Sequence, residues 1–243
     1  MKHLKTIIGI AALFIAFACV KSPNDGVGQV VFEVASNQSV ADVTKSNVSD
    51  YTSLPSAGDF TISIKDAANA LLWTGKISEW NPVTPLQMGT YTVDAEFGAI
   101  EAEGFDKPYF LGTKSFTVVG AESTAVSIPV ALGNTIVKIA CSDYFKNYFN
   151  DYTFKITRDG ADVVSFAKDE TRAAFVDGYK FTVEGTLSSE TATQTFTKDF
   201  SNLDEATAYT LTFDVSNVGG STITITFDDT VEEVALGNVE LND

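Results

Sequence analysis

Histidine is almost absent from this sequence, since His3 is the only one in 243 residues. It lies inside an apolar leader, so a mature protein without that leader carries no imidazole. Catalytic triads and zinc sites that use histidine are therefore excluded. The chain also lacks the G-x-S-x-G, P-loop and G-x-G-x-x-G signatures, so no common hydrolase or nucleotide-binding motif is present.

Cysteine is equally scarce, because Cys19 and Cys141 are the only two. In the stretch TIVKIACS, Cys141 shares one face with Val137 and Ile139. Nothing nearby in the sequence would lower its pKa, so we expect a buried and unreactive thiol. Acylation of Cys19 would leave no intrachain disulfide available.

The leader predicts both export and a lipid anchor. Its apolar run, residues 7–18, is too short to span a bilayer as a permanent helix, so residues 1–18 are interpreted as a secretory signal peptide. The residues before Cys19 resemble a loose bacterial lipobox, which predicts lipidation of Cys19 and attachment to the outer membrane. The alternative is ordinary cleavage that leaves a free Cys19. Residues 19–27 form a polar tether, and the face of the membrane is left open.

Positive charge is also in short supply. The chain has 16 basic and 32 acidic residues, and loss of Lys2 and Lys5 with the leader leaves 14 basic residues and a net charge of −18. So acidic a protein is repelled by nucleic acid and by anionic lipid headgroups. We therefore expect no nucleic-acid partner and a membrane association that depends on the N-terminal lipid.

Adjacent carboxylates are the remaining chemistry to weigh. They occur as the pairs Glu101/Glu103, Asp228/Asp229 and Glu232/Glu233. Such pairs can serve glycoside hydrolysis or calcium binding, but none has EF-hand spacing. The pairs lie in turns or on alternating polar faces, which predicts solvated surface. We expect no metal, no cofactor and no enzymatic activity, with an enzyme as the third hypothesis.

Alternating hydrophobicity dominates what is present. In the stretch 84–119, Tyr91, Val93, Ala95 and Phe97 fall on one side and polar residues on the other. This is typical of a half-buried strand. Similar strands recur along the chain with almost no helical periodicity, so we predict an all-β fold.

The pattern repeats in the second half of the chain. DYTFKITRDG matches DFTISIKDAA, and VDGYKFTVEG matches QMGTYTVDAE. We therefore predict two tandem Ig-like or fibronectin-like antiparallel β-sandwich domains, residues 28–132 and 133–243; one all-β domain of about 220 residues is the alternative. Leu203, Thr207 and Tyr209 resemble the tyrosine corner of fibronectin-type sandwiches, which supports the prediction for the second half.

Aromatic residues suggest a place for a ligand. Trp73 lies in an apolar strand and is predicted to be core, whereas Trp80, in the loop EWNP, is either exposed or tucked in. An exposed Trp80 can stack on a sugar face. Of Tyr109 and Phe110, one should point outward. The predicted ligand-binding residues are Trp80, Asn81, Glu79, Asp106, Tyr109 and Phe110.

Two further segments carry structural expectations. Residues 144–152 are predicted to form a helical turn whose aromatics pack between the two domains. The tail TVEEVALGNVELND can form a strand through Val234, Leu236, Val239 and Leu241. That strand completes its own sheet or is donated to a neighbouring molecule.

Several motifs resemble one bacterial family. These are L-x-x-G-x-Y-x-V at residues 86–93, PYFLGTKSFTV at 108–118 with the following NTIVKI, and VTKS at 43–46. Together they resemble a Bacteroidota lipoprotein family named domain of unknown function 4493, over roughly residues 28–227. The resemblance implies a lipid-anchored envelope protein, sometimes beside domains thought to handle carbohydrate, and supplies no catalytic residue.

The leading functional hypothesis is a non-enzymatic, lipid-anchored binding or accessory module of the cell envelope, with glycan or protein as its surface partner. The alternative is a fimbrial or adhesin assembly subunit whose C-terminal strand is available for donation.

Overall fold

The computed structural model describes residues 26–36, 46–215, 222–227 and 230–235. Nearly all of its regular structure is β-strand, which confirms the predicted all-β class. The predicted signal peptide, Cys19 and the tail residues Leu236, Val239 and Leu241 lie outside the described residues. None of the helices in the described ranges has the length and hydrophobicity that a membrane span requires.

The N-terminal half folds as two facing layers. Its strands are β1 (Val27–Ser36), β2 (Thr61–Asp66), β3 (Leu71–Lys76), β4 (Leu86–Gln87), β5 (Gly89–Phe97), β6 (Gly104–Phe105), β7 (Phe110–Val118) and β8 (Ser123–Leu132), with 3-10 turns at Val48–Asp50, Ala57–Asp59 and Ile77–Glu79. One layer has the order β3-β2-β5-β7 and the other β8-β1-β4, and a short β7–β8 pairing joins them. Phe32 of β1 meets Phe116 of β7 across the core, with ring centroids 5.6 Å apart.

The C-terminal half repeats this plan. Its elements are β9 (Thr135–Cys141), α1 (Asp143–Tyr148), β10 (Asp151–Arg158), β11 (Ala161–Phe166), β12 (Ala174–Val176), β13 (Lys180–Ser188), β14 (Thr193–Ser201), β15 (Ala208–Val215), β16 (Thr222–Phe227) and β17 (Thr230–Ala235). The order β11-β10-β13-β14 matches β3-β2-β5-β7, and β15-β9-β12 matches β8-β1-β4. Phe154 of β10 stacks on Phe213 of β15 at 4.1 Å, closing a second core.

The prediction of purely antiparallel sheets is wrong in two places. β1 pairs with β8 in parallel, and β9 pairs with β15 in parallel. In each half the first and last strands of the pair, β1 with β8 and β9 with β15, are separated in sequence by the strands of the opposite layer. A long connection of this kind permits parallel pairing, whereas a hairpin does not.

The predicted tyrosine corner is present. The Tyr209 hydroxyl accepts a hydrogen bond from the backbone N–H of Asp204 at 3.0 Å. The bond holds the crossing loop before β15 against the core, as in other sandwiches.

Helix α1 forms where a helical turn was predicted, but its aromatics pack elsewhere. The Ser142 hydroxyl caps the helix by accepting the N–H of Phe145. Phe145 and Phe149 are fully buried in the core of the C-terminal half and not between the halves. The expectation of an interdomain aromatic cluster is therefore wrong.

Strand β17 lies in its own sheet. It pairs with β16 in an antiparallel register from Thr230↔Phe227 to Ala235↔Thr222. The first residues of the tail therefore complete the chain's own sheet, as one of the two sequence-based alternatives predicts.

The halves are also joined by strand pairing. β6 belongs to the N-terminal half by sequence, yet it pairs with β12 at the edge of the C-terminal sheet. Ile136, Ala173 and Phe175 of the C-terminal half pack into the N-terminal core. The connection is thus a packed interface as well as a covalent link.

Candidate functional site: loops at the junction of the two halves

Trp80 is part of the core and cannot stack on a sugar. Its side chain is 7% exposed, and Nε1 donates a hydrogen bond to the Val30 carbonyl at 2.8 Å. Phe32 and Trp73 meet the ring edge-on, with centroids 5.4 and 5.1 Å away. Trp80 directly follows the 3-10 turn Ile77–Glu79, and its ring belongs to the N-terminal core. The predicted stacking role of Trp80 is therefore wrong.

Trp73, which was predicted to be core, packs against the N-terminal core but is not fully buried. It is half-buried, beside Leu71 and Leu72, which are 57% and 48% exposed. β3 is the outermost strand of its layer, so these apolar side chains face less protein than a central strand would give them.

Glu79 and Asn81 are exposed and stabilise the local turn. Glu79 Oε2 accepts the Lys76 N–H at 3.2 Å, and Asn81 Oδ1 accepts the Val83 N–H at 3.2 Å. With the Trp80 ring buried, they have no aromatic platform beside them. In the described part of the chain, no hydrogen bond or ion pair links them to the other predicted site residues.

The remaining predicted residues, Asp106, Tyr109 and Phe110, belong to the junction. Phe110 is 1% exposed in the N-terminal core, whereas Tyr109 is half-buried, so the outward-pointing member of the pair is Tyr109. The Tyr109 N–H donates to Asn134 Oδ1, and its carbonyl accepts the Gly133 N–H at 2.8 Å. These bonds connect the segment to the first residues of the C-terminal half. Burial excludes Phe110 as a ligand contact.

Asp106 faces the C-terminal half. It is exposed, has a positive φ of 55°, and accepts a hydrogen bond from the Thr52 hydroxyl at 3.3 Å. Its carboxylate lies 3.6 Å from Arg172 NH1. The same guanidinium stacks over the Phe105 ring at 4.3 Å, and Phe105 meets Phe166 edge-on at 5.0 Å. The neighbours of Asp106 are therefore charged and aromatic side chains of the protein itself, and its carboxylate already has partners within the chain.

An ion pair crosses the junction beside these contacts. The Glu103 carboxylate, 9% exposed, lies 3.0 Å from Arg158 NH2. Its other oxygen accepts the Asp177 backbone N–H at 2.6 Å, and Arg158 also pairs with the Asp177 carboxylate. Burial raises the pKa of Glu103, against the opposing effects of the Asp177 N–H and the Arg158 charge. The expectation that the Glu101/Glu103 pair is solvated is therefore wrong for Glu103.

A small groove lies beside β9 in the C-terminal half. It has a volume of about 240 Å³ and is lined by both apolar and polar residues, the latter including Lys138, Asp169 and Glu170. The Tyr152 hydroxyl donates to Asp169 Oδ1 at 3.0 Å. Burial raises the pKa of the Cys141 thiol to about 12, so Cys141 is a thiol and not a nucleophile at neutral pH.

A second groove, of about 310 Å³, lies at the end of the β10–β11 hairpin. Its charges pair with one another, since Lys180 lies 2.7 Å from Asp159. The Thr182 hydroxyl also donates to Asp199 at 2.6 Å. In the ranges that the structure describes, no group of three or more His, Cys, Asp or Glu side chains could hold a metal ion.

Sequence reasoning missed the Glu103–Arg158 pair and the role of Asn134. One signal was available: the β5–β7 connection spans residues 98–109, while the equivalent β13–β14 connection spans only 189–192. The longer loop carries β6 and Glu103. A repeat in which one loop is much longer indicates that this loop has a contact its counterpart lacks.

The chain belongs to the family described as domain of unknown function DUF4493, whose profile matches residues 26–241. This confirms the resemblance drawn from the sequence motifs. A search of curated proteins finds no match.

Three solved structures are partly similar. A Bacteroides thetaiotaomicron structure described as "putative polysaccharide binding proteins" has 13% identity and a TM-score of 0.46, covering 86% of this chain and 98% of that chain. A "putative adhesin" from the same organism has 10% identity and a TM-score of 0.47, covering 89% and 100%. The fimbrial anchor protein Mfa2 from Porphyromonas gingivalis has 10% identity and a TM-score of 0.41, covering 84% and 98%. Similarity at this level transfers no function to this chain.

Proposed function

We propose that the protein is a non-enzymatic accessory module of the cell envelope that presents a rigid surface to a protein partner, anchored to the outer membrane through a lipid on Cys19. The observation that carries the proposal is the junction. Strand pairing between β6 and β12, the Tyr109–Asn134 bond and the Glu103–Arg158 pair hold the halves together.

A fixed junction suits a spacer or adhesion module. Enzymes that close around a substrate need a hinge that absorbs large backbone changes. Here the connecting residues Asn134 and Thr135 are 0% exposed and hydrogen-bonded on both sides of the link. The unreactive Cys141 and the lack of histidine after His3 are further support.

Rigidity is tested by a distance measurement between spin labels at Thr117 and Thr195, two exposed threonines in different halves, in a Cys19→Ser/Cys141→Ser background that leaves no other thiol. We expect one narrow distance distribution. Replacement of residues 101–106 by a Gly-Ser linker should broaden it. A broad distribution in the unmodified junction would contradict the proposal.

The lipid anchor is tested by labelling cells with an alkyne fatty acid. The natural sequence should incorporate label and fractionate with the outer membrane, while Cys19→Ala should do neither. Equal label in both proteins would remove the anchor from the proposal.

A glycan is the second candidate partner, and the 240 Å³ groove beside β9 is where it would bind. A lining that combines apolar side chains with a few polar groups is typical of ligand pockets, though this one is smaller than the usual range of about 300–1,000 Å³ and suits only a terminal sugar. On a glycan array, Asp169→Asn should abolish any hit, and Glu33→Gln, at an exposed position on β1 in the N-terminal half, should not. An array without hits would remove glycan and leave the protein-partner role.

A further inference from the structure

The two halves match residue by residue at one end, which makes a comparison possible. The Gln29 N–H bonds to the Glu122 carbonyl and the Ile136 N–H to the Thr207 carbonyl, both at 2.9 Å. Likewise the Ala121 N–H donates to the Val27 carbonyl at 2.8 Å, and the Ala206 N–H donates to the Asn134 carbonyl at 2.9 Å. Both alanines have positive φ, 59° and 51°. The end of the N-terminal half therefore corresponds to the junction end of the C-terminal half.

The strand registers extend this correspondence to β4 in the N-terminal half and β12 in the C-terminal half. Gly28 pairs with Leu86 in the N-terminal half, as Thr135 pairs with Val176 in the C-terminal half. Leu86 thus corresponds to Val176. Two further pairs follow by counting back along the chain: Pro85 with Phe175, and Val83 with Ala173.

At this end the N-terminal half has an open groove of about 710 Å³, lined by residues 27–29, Val83, Pro85 and 121–123. We call it the N-terminal socket. Its lining residues correspond one for one to residues 134–136, 173, 175 and 206–208 of the C-terminal half. Those residues form the face on which the N-terminal half docks.

Exposure shows that one copy of this face is covered and the other is open. Ile136 and Phe175 are 0% exposed and Ala173 is 4% exposed. In contrast Val83 is 63% exposed, and Gln29, Pro85 and Ser123 are exposed as well. Met88 and Val119 nearby add exposed apolar surface, at 55% and 45%. Apolar residues gathered around an open groove indicate a docking surface.

The charged residues near the socket indicate which kind of side chain a bound partner carries. In the covered face Arg158 receives Glu103 from the docking loop. The pairings Ile64↔Val93 and Ile156↔Val183 make Asp66 the counterpart of Arg158. Asp66 therefore stands where the covered face has Arg158, and Glu122, a lining residue of the socket whose counterpart is Thr207, adds a second carboxylate. A loop that docks in the same way would carry Lys or Arg.

We propose that the N-terminal socket binds the end loop of a separate protein, through a short extended apolar segment laid along the outer edge of β4 and a basic side chain facing Asp66 and Glu122. In the described part of the chain, neither of the two connections that could dock in this way is free in a second copy. Its β5–β7 loop is already used at its own junction, and its β13–β14 connection is a tight turn closed by the Ser189–Ala192 hydrogen bond.

The inference deepens the proposed function, on which it rests. The socket opens where the chain enters the fold at Gly26 and Val27. An extended tether from Cys19 to Gly26 reaches about 25 Å at most. A lipid-anchored protein would therefore hold the socket, and the bound partner, close to the membrane.

The test is photo-crosslinking in cells that produce the full chain. A photoreactive residue is placed at Val83 or at Ser123, with Tyr144 as the control position, since it is 72% exposed and lies in the C-terminal half. We expect one partner peptide, the same from both socket positions and absent at Tyr144, that contains Lys or Arg beside apolar residues.

Charge variants then test Asp66 and Glu122. Glu122→Lys and Asp66→Asn should each lower the crosslink yield at Val83 at least tenfold, and Glu190→Lys should leave it unchanged. Asp66→Asn keeps the side-chain oxygen that accepts the N–H groups of Ala68 and Ala70, so the turn survives. Unchanged unfolding midpoints would verify that each variant is folded.

Three results would overturn the inference: no crosslink at either socket position, the same products at Tyr144, or crosslinks only to this chain's own residues 19–25, which would mean that the tether fills the socket. A failed socket with a narrow spin-label distance and a labelled Cys19 would leave the proposed function standing. Loss of the label or of the narrow distance would remove that function instead.

Discussion

Arg158 has carboxylates from both halves of the chain as partners, Glu103 on one side and Asp177 on the other. Its side chain is 24% exposed and that of Glu103 is 9% exposed, so water screens the pair only in part. Removing one member of such a pair costs more than the pair contributes, because the remaining charge stays buried.

We therefore expect Arg158→Ala to lower the free energy of unfolding by about 2–3 kcal/mol at pH 7, less than for a fully buried pair because Arg158 keeps some contact with water. Urea unfolding measures the change. The matched double variant Glu103→Leu/Arg158→Met should recover most of the loss. A double variant as unstable as the sum of both single changes would contradict a direct interaction.

The same variant has a defined pH dependence. The pKa of Glu103 is already raised by burial, and losing Arg158 raises it further. A carboxyl whose pKa is higher in the folded protein favours folding below that pKa, and this contribution is lost as the pH rises through it. The deficit of Arg158→Ala should shrink as the pH falls from 7 toward 5. A deficit that stays constant over this interval would assign the loss to packing, which does not depend on pH.

Trp80 provides a second test at the residue scale. Trp80→Ala removes a buried ring and should cost about 3–5 kcal/mol. Trp80→Phe keeps most of the packing but leaves the Val30 carbonyl without its donor, so about 1–3 kcal/mol is expected. Chemical unfolding followed by circular dichroism measures both. A negligible effect of Trp80→Ala would mean that the ring is exposed after all.

At the scale of elements, the sheet edges differ in how they are protected. The outer edge of β12 is covered by β6, whereas no other strand in the described part of the chain pairs with the outer edge of β3. β3 also exposes Leu71 and Leu72. An apolar edge strand is a site where molecules associate non-specifically unless something covers it.

We expect Leu72→Lys to slow aggregation of the concentrated protein on heating, with a stability change within about 0.5 kcal/mol, because a charge on an edge strand opposes pairing between molecules. Light scattering during a temperature ramp measures the aggregation. Thr117→Lys adds the same charge at an exposed position on β7 and serves as the control. Equal protection by both variants would assign the effect to net charge alone.

For the whole molecule, completion of the C-terminal sheet is the decisive question about assembly. β17 closes that sheet by pairing with β16 along its full length. Deletion of residues 231–243 would expose the β16 edge within the same molecule.

We expect this deletion to destabilise the monomer and lower its Tm, by about 2–4 °C for each kcal/mol lost in a chain of this size. Calorimetry with size-exclusion chromatography measures the effect. A deletion variant that keeps its Tm but no longer forms polymers would support donation of the strand to a neighbour.

The sequence alone determined the β-class and the repeat, because alternation of apolar and polar residues is a local property of a strand. Tyr91, Val93 and Ala95 are buried as their spacing predicts. The tyrosine corner at Tyr209 was also readable, since its partner lies only five residues away. The family was identifiable from short motifs for the same reason.

Only the tertiary structure decided which aromatics are buried and what the long loop does. Trp80, which the sequence left as either exposed or tucked in, is buried, and Trp73 is only half-buried because β3 lies at the edge of its layer. Glu103 meets Arg158 across 55 residues of sequence, a distance at which no periodicity relates two side chains. The covered and open copies of one docking face became visible only when both halves were seen folded, since exposure belongs to the assembled surface and not to the residue.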